Sequence, residues 1–80
     1  MRSDHATRTQ GTPRTPVESS LLASVGYAPD ATLDVELHGG ALYRYFTVPP
    51  SVHCALMTAT SKGEYFNRHI RPRFLCQRLA

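Results

Sequence analysis

The clearest periodicity in the chain lies at Leu33, Asp34, Val35, Glu36, Leu37 and His38, where apolar and polar residues alternate one for one. A period of two puts three apolar side chains on one face of a strand and three polar ones on the other, so the segment reads as a half-buried strand. Before it, residues 21–27 form an apolar run with small residues interspersed. That run closes on Ala28, Pro29, Asp30 and Ala31, a turn signal because proline presets φ and aspartate bonds its own backbone. After it, Gly39 and Gly40 supply the φ > 0 conformations of a tight hairpin, and residues 41–48 resume as a β-branched and aromatic strand. The pattern predicts a three-stranded antiparallel meander.

Pro49 and Pro50 cannot donate to a sheet ladder, but a proline loses nothing at the first helical position, so the sheet stops here and a helix starts. Val52, Ala55, Leu56 and Ala59 recur at i, i+3, i+4 and i+7 and form one apolar stripe. Ser61 followed by Glu64 reads as a capping box opening a second short helix. On that helix Phe66 and Ile70 face the core, and Arg71 before Pro72 marks its end. Two helices following three strands predict an α+β fold: a three-stranded antiparallel meander covered on one face by two short C-terminal helices. The face bearing Leu33, Val35 and Leu37 is expected under Val52, Leu56, Phe66 and Ile70.

Residues 1–16 offer only Met1 and Ala6 as apolar side chains, so they read as a flexible N-terminal tail. The domain is expected over residues 17–74, with a short C-terminal tail at 75–80. An 80-residue chain accommodates one domain and buries only about 60% of its unfolded surface, so its stability is modest. Cys54 and Cys76 are too few for a disulfide scaffold and read as free thiols, one half-buried and one in the tail, with a single Cys54–Cys76 disulfide as the alternative. No apolar run reaches the length of a signal or membrane segment, which leads to the expectation of a cytoplasmic protein with no membrane contact.

The net charge of +3 conceals a segregation along the chain. Arg2, Arg8 and Arg14 against Asp4 give residues 1–16 a charge of +2, while Arg44 against Glu18, Asp30, Asp34 and Glu36 gives residues 17–60 a charge of −3. Lys62, Arg68, Arg71, Arg73 and Arg78 against Glu64 give residues 61–80 a charge of +4. A basic end of this kind attracts polyanions locally.

The order Ser19-Ser20, Val25-Gly26-Tyr27, Tyr43-Arg44-Tyr45, Val48-Pro49, Ser61-Lys62-Gly63 and Phe66-Asn67-Arg68-His69-Ile70-Arg71 resembles the KTSC domain. The resemblance covers residues 17–74. That family takes its name from the C-termini of some lysyl-tRNA synthetases and also occurs as small stand-alone bacterial proteins. Attachment to a tRNA-handling enzyme implies RNA, tRNA-like in kind, as a partner, by association.

Several residues carry that expectation, each with a structural alternative. Tyr43 and Tyr45 share a strand face, where they stack unpaired bases or pack into the core and rim. Arg44 points to the opposite face and is expected to be the better exposed contact. Lys62, Arg68, Arg71 and Arg73 are candidate phosphate contacts, with Ser61, Lys62 and Gly63 as an anion cradle at a helix start; the alternative is a capped helix with a solvated basic face. Asn67 either contacts a ligand or bonds a neighbouring backbone group.

No metal is expected, because His53 and Cys54 are adjacent and His69 and Cys76 are seven apart, unlike zinc-ligand spacings. No catalytic residue is expected either: Ser61 beside Lys62, and Cys54 beside His53, diverge as neighbours, and no nucleotide loop or carboxylate pair is present. No small-molecule cofactor is implied. The leading expectation is a non-catalytic RNA-binding module; the alternative is a protein-interaction module using an exposed strand edge or the acidic strand face of Asp34 and Glu36.

Overall fold

The computed structural model describes residues 13–80, in the order β1 (Thr15–Pro16), β2 (Leu22–Tyr27), β3 (Leu33–Leu37), β4 (Leu42–Tyr45), α1 (Pro50–Thr58), α2 (Lys62–Tyr65) and β5 (Cys76–Arg78). The five strands form one antiparallel sheet in sequential order, β1-β2-β3-β4-β5. The α+β class and the two short helices agree with the sequence, but the sheet has five strands and not three.

The two additional strands lie where tails were expected. Residues 1–12 of the expected N-terminal tail lie outside the described residues, but Thr15 and Pro16 pair with Val25 and Ser24. The expected C-terminal tail pairs with β4, setting Tyr43 opposite Arg78, Arg44 opposite Gln77 and Tyr45 opposite Cys76. Cys76 is therefore a strand residue, and Cys54 is an exposed free thiol, not a half-buried one. Neither strand has an alternating pattern of its own. Each forms because an edge of the meander presents unpaired N–H and C=O groups.

The β2–β3 and β3–β4 hairpins use the same three-residue loop. Ala31 N donates to Ala28 O at 3.0 Å and Ala28 N to Thr32 O at 3.0 Å; Gly40 N donates to Leu37 O at 2.9 Å and Leu37 N to Ala41 O at 2.8 Å. Each is a turn followed by one left-handed residue, Ala31 at φ 70° and Gly40 at φ 102°. Gly40 alone of the glycine pair takes the positive φ that the sequence assigned to both. The fourth strand is shorter than residues 41–48, because Thr47 adopts φ 59° and turns the chain so that Val48 N meets Ala31 O at 2.8 Å.

Leu22, Val25, Leu33, Val35, Tyr45, Val48, Leu56, Phe66 and Ile70 form the core between one sheet face and the helical layer. Leu56, Phe66 and Ile70 are fully buried over Leu33 and Val35, as the periodicities require, with Val52 and Leu37 packed at the margin. Past α2 the backbone widens into a π-helical turn, Phe66–Ile70, with Arg71 N donating to Phe66 O at 2.9 Å. The wider turn keeps both Phe66 and Ile70 on the sheet before Pro72 ends the helix. No helix among the described residues is long and apolar enough to cross a membrane.

Candidate functional site

Strand alternation decides where the central motif residues point. Arg44 lies on the sheet face away from the helices, opposite Asp34 in the β3–β4 register. Its Nε and Nη2 donate to the two carboxylate oxygens of Asp34 at 2.8 and 2.9 Å. The hydrogen bond to Asp34 holds the Arg44 guanidinium above its ordinary pKa. Asp34 is fully buried, and the Arg44 side chain is 24% exposed. The expectation of Arg44 as the better exposed contact is thus corrected: its fork is already occupied by a carboxylate.

The acidic strand face is corrected with it. Asp34 is inaccessible, and Glu36 accepts from Ser24 Oγ at 2.8 Å, which in turn accepts from Arg14 Nε at 3.0 Å. The face is a bonded polar lattice.

Tyr43 and Tyr45 point the other way, towards the helical layer. Tyr45 is 2% exposed and meets Phe66 edge-on, with ring centroids 5.6 Å apart. Burial pushes its hydroxyl up to about 12. A ring so placed has no face left for a base. Tyr43 is half-buried, with the Arg78 guanidinium 5.8 Å from its ring centroid.

The Ser61-Lys62-Gly63 segment begins α2. Ser61 Oγ accepts from Glu64 N at 3.3 Å as the sequence anticipated, while the Glu64 carboxylate turns outward to Arg68 at 3.2 Å. Lys62 is half-buried and its ammonium donates to Ala59 O at 3.2 Å, so it closes the turn between the helices. Gly63 is a point of close approach: a Cβ there would lie 3.2 Å from Leu21 Cβ and 3.5 Å from Ser19 Oγ. Ser19 Oγ in turn accepts from Leu21 N and Leu22 N at 3.1 Å each, shaping the entry to β2. Two motif segments far apart in sequence are thereby packed together.

The remaining basic residues are open to solvent. Arg68 is 70% exposed in its side chain, with Glu64 its carboxylate partner. Arg71 lies with its guanidinium 5.8 Å from the Phe66 ring centroid and donates from Nη1 to Asn67 Oδ1 at 2.9 Å. Asn67 therefore positions Arg71. Arg73 is exposed on the turn beyond the helix.

Sequence reasoning did not single out a cleft of about 350 Å³ between the end of α1 and α2. Tyr65 and His69 line it with ring centroids 4.7 Å apart, and Arg68 stands on its wall. The signal was present as aromatic residues at i and i+4 beside an arginine, a spacing that also suits ordinary packing.

The model of the KTSC domain matches residues 18–74, most of the chain. The chain belongs to the KTSC domain family. This KTSC domain is 36% identical to a KTSC domain protein of Yersinia pestis, whose crystal structure it matches with a TM-score of 0.81, over 88% of this chain and 100% of that one. It is 48% identical over 61 residues to an uncharacterized protein of Stutzerimonas stutzeri, covering 75% of this chain and 86% of the relative. It is also 39% identical over 64 residues to a lysine–tRNA ligase of Nostoc punctiforme, covering 79% of this chain and only 11% of the ligase. The family therefore contains both small bacterial proteins and a segment of a much larger enzyme.

Proposed function

We propose that this KTSC domain is a non-catalytic binding module whose ligand is RNA, held through phosphate contacts from Arg68, Arg71 and Arg73. The observation that carries the reading is the exposure of these three guanidiniums within six residues of chain, with Glu64 the carboxylate paired among them. Arg71 is preorganised by Asn67 and Phe66, so little side-chain freedom is lost when it meets a phosphate. Similarity to a segment of a lysine–tRNA ligase supports RNA over DNA. The contact set is narrower than the sequence suggested, because Tyr45 is in the core, Arg44 holds Asp34 and Lys62 holds Ala59.

Salt titration tests the proposal. For a single-stranded RNA of mixed sequence, log affinity should fall with log salt at about −0.7 per phosphate contact, or roughly −2 for three arginines. Affinity insensitive to salt, or none at about 50 mM salt, contradicts it.

A second reading, a protein partner, is favoured by the β5 edge. The β1 edge is blunted by Pro16, which cannot donate to a ladder, whereas β5 is exposed throughout and flanked by Leu75 at 84% and Leu79 at 37% exposure. An added strand would slow hydrogen exchange at Cys76 and Arg78, and RNA bound at the arginines would not.

A further inference from the structure

We infer that the cleft between the end of α1 and α2 is a slot for one unpaired nucleobase with its phosphate, an inference that rests on the RNA reading above. Its volume of about 350 Å³ lies within the range of about 300–1,000 Å³ typical of small-ligand pockets, enough for a single nucleoside in an open cleft.

The lining has the three kinds of group that single-stranded RNA recognition uses. The first is an aromatic surface. Tyr65 and His69, inclined at 38° to one another, present rings on which a base stacks, and Tyr65 is half-buried and so held in place. The second is a set of hydrogen-bonding groups for a base edge: the hydroxyls of Thr60 and Ser61 and the carboxylate of Glu64. The Glu64 side chain is 59% exposed and meets Arg68 through Oε2 alone, so its second oxygen is open to a base. The third is a cation at the wall. Arg68 engages Glu64 through Nη2, which leaves the rest of its donor fork for a phosphate.

These groups also imply a preference. A carboxylate accepts hydrogen bonds and donates none, so Glu64 favours bases that present an exocyclic amino group. Adenine, cytosine and guanine have one; uracil offers only its N3–H, set between two carbonyl oxygens that repel a carboxylate. Arg68 is both a wall of the cleft and the first of the three exposed arginines, so one base is seated there while neighbouring phosphates meet Arg71 and Arg73.

The test compares a short fluorescein-labelled single-stranded RNA with inorganic polyphosphate, a polyanion without bases. Tyr65→Ala should weaken RNA binding about tenfold, the equivalent of one lost stacking contact, and leave polyphosphate binding within about twofold. Thr60→Trp, at an exposed position on the cleft rim, should fill the slot and give the same pattern without removing any packed side chain. Circular dichroism establishes that both variants are folded. Oligocytidylate should bind more tightly than oligouridylate of equal length. If both variants bind RNA like the parent, the slot is refuted while the RNA proposal stands. If they weaken RNA and polyphosphate equally, the cleft acts only through charge or folding and the slot is again refuted. If the parent binds neither RNA nor polyphosphate, the RNA proposal fails and the slot fails with it.

Discussion

Asp34 and Arg44 form a two-pronged ion pair across β3 and β4, at 2.8 and 2.9 Å, with the carboxylate fully buried. A buried charge that loses its partner keeps its desolvation cost with nothing to offset it. Arg44→Gln should therefore destabilise by about 3–5 kcal/mol, a large part of what an 80-residue domain possesses. Urea unfolding would measure this. A loss below about 1 kcal/mol would show that Arg44 is a surface residue after all.

Ala31 occupies the left-handed position of the first hairpin at φ 70°, the position that Gly40 fills in the second. A residue with a Cβ incurs about 1–2 kcal/mol there, whereas glycine incurs none but loses more backbone entropy on folding. Ala31→Gly should raise stability by up to about 1 kcal/mol, and Gly40→Ala should lower it by a similar amount. Thermal melts of the two single variants moving in the same direction would contradict the assignment of equivalent turns.

Tyr45 links stability to alkaline pH. Burial raises its hydroxyl from 10.0 to about 12, so below pH 10 the phenol is protonated in both folded and unfolded chains and its contribution is fully present. Between pH 10 and about 12 only the unfolded chain ionises, so stability declines and the contribution is lost as pH passes the folded value. Tyr45→Phe should flatten this decline relative to the parent in denaturant titrations across that range. Parallel curves for the two proteins would place the hydroxyl in water.

The parts of this fold that were legible in the sequence are those stabilised by burial of a periodic face. Leu33 and Val35 at period two, with Leu37 at the margin, and Leu56, Phe66 and Ile70 on the helices announce both layers because the side chains that set the pattern form the core or pack against it. The β5 strand was not legible, since Cys76, Gln77 and Arg78 bury little and are ordered by backbone pairing to β4. The site was half legible. Alternation puts Arg44 on the polar face, but that polar face is not a solvated one; Asp34 and Arg44 are equidistant from Gly39, and pairing the hairpin about that residue brings them together. Lys62 read as a free cation because nothing in its neighbours signals the Ala59 carbonyl it caps.

RNA affinity measured for the parent and for the triple variant Arg68→Gln, Arg71→Gln, Arg73→Gln tests the central proposal most directly. These positions are exposed, so the fold should persist by circular dichroism. The expected result is a loss of affinity of tenfold or more at about 50 mM salt, with the salt slope reduced by about 0.7 for each phosphate contact removed. Unchanged affinity and slope in the folded triple variant would contradict the proposal and leave the β5 edge as the surface to pursue.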